Sequence, residues 1–206
     1  MLDKSDDAMN DLQLITRQGR AIAPHLHALA RLRIQVFHDY PYLYEGDLDY
    51  EADYLGRYAD NPASLFVLAF DGERLVGAST GQPLVNEVEA FRQPFETAGI
   101  APTGVFYYGE SVLLHDYRGQ GIGKAFMQTR EAHAKARGFE TAAFCAVERE
   151  VDHPDKPPAY APLNGFWKSQ GYQRYPNLRA RFAWKDRGHD QETEKTLVFW
   201  LKPLTS

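Results

Sequence analysis

A strand-like run, Gly109 to Tyr117 (GESVLLHDY), turns through RGQGIG (Arg118 to Gly123) into a helical stretch that reaches toward Gly138. Three glycines, an arginine and a lysine therefore meet where a strand gives way to a helix. The first turn of a helix carries N–H groups with no internal partner and a partial positive charge, so it attracts anions. Gly119, Gly121 and Gly123 put no Cβ between such an anion and the backbone, and Arg118 and Lys124 add cations at the same end. The chemistry this turn suits is phosphate binding, and its spacing decides among schemes. A P-loop needs a glycine five residues before the Gly-Lys pair and a Ser or Thr after it, but Arg118 and Ala125 stand there. The dinucleotide fingerprint G-x-G-x-x-G fails as well, because Lys124 occupies the sixth place from Gly119 and Phe126 the sixth from Gly121.

What remains, R-x-x-G-x-G after a strand, resembles the acyl-CoA-binding motif of the GNAT family of N-acetyltransferases. The likeness extends over HDYRGQGIGKAFM, between a strand with an acidic residue eight places before the arginine and an amphipathic helix. It implies that the turn formed by Arg118, Gly119, Gln120, Gly121, Ile122, Gly123 and Lys124 holds the diphosphate of coenzyme A on its N–H groups. It also implies that the strand edge at Val112, Leu113 and Leu114 pairs with the pantetheine arm as another strand would. The segment NGFWKSQGY, from Asn164, resembles the family's next element and implies that Asn164 touches the pantetheine or phosphate region. Read by itself, that asparagine also suits a helix N-cap.

The reaction the resemblance implies is transfer of the acetyl group of acetyl-CoA to a primary amine by direct attack in a ternary complex. An amine is protonated at neutral pH and cannot attack a thioester, so a proton acceptor is needed nearby. Glu110 matches the position of the acidic base in many family members. Its plainer alternative is a structural carboxylate paired with an Arg or Tyr from a neighbouring strand. A backbone N–H near Leu113 would polarise the thioester carbonyl. The family often protonates the departing thiolate with a tyrosine, but Trp167 stands at that place and indole cannot act as an acid. Tyr160, Tyr172, Tyr175 or solvent are the substitutes. Cys145 reads as a core residue in an apolar strand rather than a nucleophile. His115 lies just before the phosphate turn, and His153 sits with Asp152 and Asp155 in a Pro-rich loop. No histidine spacing suggests a metal site. The acidic, tyrosine-rich segment from Pro41 to Tyr58 would suit an ammonium group through charge and cation–π attraction, although a solvated helix with an aromatic inner face explains it too. A small cationic amine and a peptide amine both remain open as acceptors. The other functional class is a non-catalytic acyl-CoA-binding or sensing module of the same fold.

These residues need elements to hold them. Alternation marks a first strand over Leu12 to Thr16, and Leu26, Leu29, Ala30, Ile34 and Phe37 mark a helix after Pro24. A hairpin follows, Ser64 to Phe70 and Arg74 to Gly81 around Asp71-Gly72. Residues 83 to 103 read as an inserted helical loop, and a central strand runs from about Val105 to Leu114. The helix after the glycine turn presents Ile122, Ala125, Phe126, Thr129, Ala132 and Ala136 as one seam. Phe139 to Val147 then reads as a buried strand parallel to the central one, reached by a right-handed crossover. A short helix, Leu163 to Gln170, ends at Gly171, and Leu178 to Lys185 with Thr196 to Leu201 form a closing hairpin. This is an α+β pattern with a mixed sheet. The resemblance implies a GNAT-like fold of about seven strands, helices on both faces and a central strand splayed to hold the coenzyme.

With 206 residues the chain is expected to form a single domain over 11 to 206 after a flexible lead at 1 to 10. A net charge of −5 argues against a nucleic-acid partner held by a basic face. One cysteine leaves no intrachain disulfide, and no run of about 18 apolar residues offers a membrane span, so a cytoplasmic protein is expected. A homodimer is frequent among similar proteins.

Overall fold

The computed structural model describes residues 12 to 204; the expected lead at 1 to 10 lies outside the described residues. The chain runs β1 (Leu12–Gln18), α1 (Leu26–Phe37), α2 (Leu48–Asp60), β2 (Leu65–Asp71), β3 (Arg74–Pro83), α3 (Glu89–Thr97), β4 (Val105–Tyr107) and β5 (Ser111–Leu113). It continues through α4 (Ile122–Ala136), β6 (Thr141–Val147), α5 (Asn164–Ser169), β7 (Gln173–Lys185) and β8 (Glu192–Pro203). The strands form one mixed sheet in the order β1-β2-β3-β4-β6-β8-β7, with β5 pairing β3 off that path. Only β4 and β6 run parallel, joined by the expected crossover through α4. Among the described residues no helix is long and apolar enough to cross a membrane.

Side chains alternate across the sheet as a period of two requires. Phe106, Tyr108, Ala142, Phe144 and Trp200 belong to the main core with Phe126 of α4 and Trp167 of α5. Val105, Tyr107, Ala143, Phe199 and Leu201 form a second core with Phe95 of α3. Helices thus lie on both faces. In α4 the buried row is Ile122, Phe126, Met127, Arg130 and Ala134. Ala132 and Ala136, expected in the seam, are exposed. The seam goes astray because a buried arginine holds the middle of the helix, where polarity alone assigns it to solvent. The closing hairpin is longer than the alternation suggested, since β7 begins before Pro176 and resumes its ladder beyond an irregularity between Tyr175 and Arg179.

The expected central strand is two strands. β4 pairs with β6 and with Gln82 and Pro83 of β3, while β5 pairs only with Gly77 to Ser79 of β3. Past Tyr108, whose N–H reaches Ala143 O at 2.8 Å, the bonds toward β6 cease and the sheet opens between β5 and the end of β6.

Candidate active site

The opening in the sheet is made by one extra residue. Gln82 lies opposite Tyr107 and Ser79 opposite Ser111, so two residues of β3 face three of the central strand, Tyr108 to Glu110. Such a bulge reverses which face each side chain takes. Tyr107 lies on the α2 and α3 face and Tyr108 on the α4 face; after the bulge Glu110 points to the α2 face and Ser111 to α4. Gly109 is the residue the bulge needs, because a Cβ there would meet the Tyr58 hydroxyl and Thr80 Oγ1, the latter at 2.7 Å. Backbone bonds hold the deviation in place. Thr80 donates its N–H to Glu110 O at 3.0 Å, and Glu110 N–H reaches Thr80 Oγ1 at 3.3 Å. From α4, the buried Arg130 donates to Thr80 O at 3.2 Å, to Glu110 O at 3.1 Å and to Ser111 Oγ at 2.8 Å. Its guanidinium lies over the Tyr108 ring, 4.1 Å from the centroid. Arg130 therefore does what a neighbouring strand would have done for these carbonyls.

On the opposite face the Glu110 carboxylate is buried between helices α1 and α2. Arg33 Nη1 stands 2.7 Å from Oε2, and the Tyr54 hydroxyl donates to the same oxygen at 3.1 Å. Arg33 also holds Glu51 through Nε at 2.5 Å, so one guanidinium serves two buried carboxylates. The partners foreseen from a neighbouring strand come from helices instead. Glu110 Oε1 is buried and accepts no hydrogen bond among the described residues. One oxygen is thus anchored and the other is free to take a proton.

The glycine turn lies at the other end of β5. Gly119 and Gly121 have φ of +77° and +85°, conformations that a Cβ disfavours. No N–H from Gly119 to Lys124 has a partner among the described residues, and the first that does is Ala125, bonded to Gly121 O at 3.0 Å. Six consecutive amides at the start of a helix of 15 residues are open, which is the donor set a diphosphate needs. Arg118 and Lys124 are exposed beside them, and Arg118 Nε reaches back to Leu113 O at 3.3 Å. Along β5 the backbone groups alternate. Leu114 donates to Val76 O in β3, so Val112 faces β3 as well, while Ser111 and Leu113 direct their N–H groups into the opening. Of the three expected edge residues, Leu113 therefore offers the free N–H, and Val112 and Leu114 fix its position. Asn164 is exposed at the first position of α5, makes no side-chain cap bond, and the N-cap is Leu163. That helix abuts the glycine turn, as Phe166 Cζ lies 3.7 Å from where a Gly123 Cβ would be.

A cavity of about 500 Å³ opens on the Glu110 side of the split. Its walls are aromatic, with Tyr42, Tyr54, Tyr58, Tyr107, Phe91 and Trp184 among them, and its acidic lining residues are Asp60, Glu87 and Glu110. The Pro41 to Tyr58 segment supplies one wall: α2 opens with the Asp47 carboxylate accepting the Tyr50 N–H at 2.8 Å, and Tyr54 and Tyr58 follow on its inner side. The second wall rests on Asp186, which binds Arg149 at 2.9 Å and Lys195 at 3.1 Å. Arg149 in turn donates to the carbonyls of Pro41 and Tyr42, and Trp184 Nε1 donates to Tyr42 O.

A split central strand, a row of open amides at the following helix and a buried carboxylate at the split are the features that the resemblance implied. The model of the acetyltransferase (GNAT) family matches residues 29–157, well over half of the chain. The chain belongs to the GNAT family. Solved structures agree on the fold. An N-acetyltransferase from Staphylococcus aureus Mu50 superposes with a TM-score of 0.58 at 12% identity, covering 94% of this chain and 99% of that one. A ribosomal-protein-alanine N-acetyltransferase from Brucella melitensis gives 0.58 at 16% identity over 92% and 99%. The ribosomal-protein-S18-alanine N-acetyltransferase of Escherichia coli gives 0.57 at 10% identity over 94% and 96%. No curated protein sequence matches the chain.

The GNAT frame also sorts the remaining candidates. Trp167 packs its indole against Phe144 and Trp200, each 5.1 Å between centroids, and is a core residue. Tyr172 is buried, donates to Glu131 at 3.0 Å with the Tyr108 hydroxyl 3.2 Å away, and is pushed far up by burial and then by Tyr108. Tyr160 packs on Tyr40, and Tyr175 is exposed on β7. His153 accepts the Asp155 N–H on Nδ1 in the Pro-rich loop, and His115 is exposed beside Asp116. Cys145 lines the cavity, with its sulfur 3.1 Å from the Tyr107 hydroxyl, and burial pushes its thiol up to about 12. Arg33, Glu51, Glu87 and Arg130 escaped the sequence reading. Arg130 alone left a signal there, a cation four residues beyond Phe126 on an otherwise apolar row.

Proposed function

We propose that this GNAT protein transfers the acetyl group of acetyl-CoA to a primary amine held in the aromatic cavity. The observation that carries the reading is the run of open amides from Gly119 to Lys124, set at one end of a free strand edge whose other end bears Glu110. Acetyl-CoA supplies an activated acyl thioester. The amides at the start of α4 hold its diphosphate, with Arg118 and Lys124 neutralising charge. The Leu113 N–H donates to the carbonyl that is attacked, where negative charge grows. Glu110 Oε1 takes the proton that the amine must shed, directly or through water, while Oε2 stays fixed by Arg33 and Tyr54. The C–N bond forms as the C–S bond breaks, and the sulfur leaves as thiolate to solvent. This activity belongs to a compartment supplied with acetyl-CoA, such as the cytoplasm.

The test is release of free thiol from acetyl-CoA against a panel of amines, with Glu110→Gln beside wild type. Loss of a general base should lower kcat by about a hundredfold or more while leaving the rise in melting temperature caused by acetyl-CoA unchanged. A second reading, a module that binds acyl-CoA without turnover, is favoured by the commitment of Glu110 Oε2 to Arg33 and by Trp167 in the core. Stabilisation by acetyl-CoA with no thiol released by any amine would establish it.

A further inference from the structure

The acidic residues lining the cavity are not equivalent. Glu110 is matched by Arg33, and Asp60 by Arg20 at 3.1 Å. Glu87, just beyond a short helical turn at Leu84–Asn86, has no cation within ion-pair distance among the described residues. Its Oε1 accepts from the Tyr58 hydroxyl and from Gln82 Nε2 at 2.8 Å, both neutral donors. Burial, and then the charge of Glu110, push the Glu87 carboxyl up despite those bonds. Glu87 therefore has no ion-pair partner of its own among the described residues: of the two arginines that line the cavity, Arg33 is engaged by Glu110 and Glu51, and Arg57 lies over the Tyr54 ring, 5.8 Å from its centroid.

Its position is set by the same helix that sets Glu110. Tyr54 and Tyr58 are one turn apart on α2, with ring centroids 5.4 Å apart. Tyr54 donates to Glu110 and Tyr58 to Glu87, so the two carboxylates stand on successive rungs of one tyrosine ladder. Side chains four apart on a helix are neighbours, so the ladder sets the two acids side by side along one wall. The Tyr54 and Tyr58 rings between them offer faces that attract ammonium groups, and the same cavity also carries Arg33 and Arg57.

We propose that the acceptor is a short diamine, with the nitrogen that receives the acetyl group at Glu110 and a second ammonium bound by Glu87 across the Tyr54–Tyr58 ladder. This rests on the acetyltransferase reading above and names its substrate class. The single bound charge makes a diamine better than an alkyl monoamine of the same length, whose tail would leave Glu87 unpaired.

The experiment compares putrescine with n-pentylamine as acceptors, in wild type and in Glu87→Gln. The amide is isosteric and keeps the oxygen that Tyr58 and Gln82 bind, and melting of the unliganded variant checks its fold. Wild type should favour putrescine by about tenfold or more in kcat/KM, carried mostly by KM, and the ratio should fall toward unity in Glu87→Gln. In parallel, the putrescine-induced rise in melting temperature is measured on Glu110→Gln and on Glu110→Gln/Glu87→Gln. The rise should be present in the first and lost in the second. Equal putrescine to pentylamine ratios in wild type and Glu87→Gln, with putrescine stabilising both Glu110 variants alike or neither, overturn the diamine. Absence of thiol release with a Glu87-dependent rise in melting temperature sinks the acetyltransferase reading and leaves the diamine site standing.

Discussion

Replacing Arg33 by methionine should be among the most damaging single changes in this chain. Methionine fills a similar volume and adapts to irregular surroundings, so packing is largely conserved and the loss is chiefly of charge. That charge sits between Glu51 and Glu110, whose side chains are 0% and 3% exposed. Removing one partner of a buried ion pair costs about 3–5 kcal/mol, because the survivor stays desolvated and unpaired. Here there are two survivors, but Tyr54 still donates to Glu110, so the upper part of that range is the expected loss. For a domain of this size each kcal/mol shifts the melting temperature by about 2–4 °C, which makes the drop about 10–20 °C. Burial would lower the Arg33 guanidinium, but Glu110, Tyr54 and Glu51 together outweigh it and hold it well above its ordinary value. A raised basic group lends stability that is complete below its unfolded value, already strongly basic for a guanidinium, and is lost only as the pH climbs past the folded one. Differential scanning calorimetry at about pH 8, far below the range in which the guanidinium titrates, should find that deficit. Adding Glu51→Gln removes one of the orphaned charges and should recover a substantial part of the loss. A melting temperature for Arg33→Met within about 2 °C of wild type, under one kcal/mol by that scaling, would refute the shared-cation arrangement. So would a double variant no more stable than the single.

Gly121→Ala tests the glycine turn: a Cβ there meets no atom but must accept a φ of +85°, so about 1–2 kcal/mol of stability should be lost. Isothermal titration should find weakened acetyl-CoA binding in the same variant, and unaltered affinity would mean that the amides do not serve as the diphosphate site. Asp186→Asn tests the wall behind the cavity. Burial would raise the Asp186 carboxyl, but hydrogen bonds and charge from Arg149 and Lys195 outweigh it and hold it below the usual range. A depressed carboxyl contributes stability that is present above its unfolded value and lost as the pH falls through the folded one. The stability gap between wild type and Asp186→Asn should thus be widest near neutrality and close below about pH 4 in urea titrations.

The turn at Arg118 to Lys124 was legible because its chemistry is local. Which amides are left open depends on where a helix begins, and glycine spacing after a strand marks that point within a residue. The hairpin at Asp71-Gly72, the crossover to β6 and the helices flanking it were legible for the same reason, each signalled by a period or a turn within a dozen residues. The second half of α4 was not, since Arg130 is buried by three carbonyl and hydroxyl acceptors that come from β3 and β5, far away in sequence. Likewise Glu51 reads as one more acid in a solvated acidic segment. Only the arrival of Arg33 from another helix puts it inside.

The placement of Glu110 exposes a subtler limit. Position eight residues before the arginine singles it out, yet strict alternation from Val105 would send its side chain to the α4 face with Phe106 and Tyr108, away from the cavity. One inserted residue at Gly109 reverses that outcome. Because a slip of a single residue exchanges the two faces of a strand, the bulge decides whether the carboxylate faces the cavity or a hydrophobic core. The bulge survives in turn because its freed carbonyls find donors in Arg130 and Thr80. The opening that exposes the β5 edge and the turn that aims Glu110 are therefore one deformation, held by one buried cation, so the open strand edge and the buried carboxylate cannot be moved independently of each other.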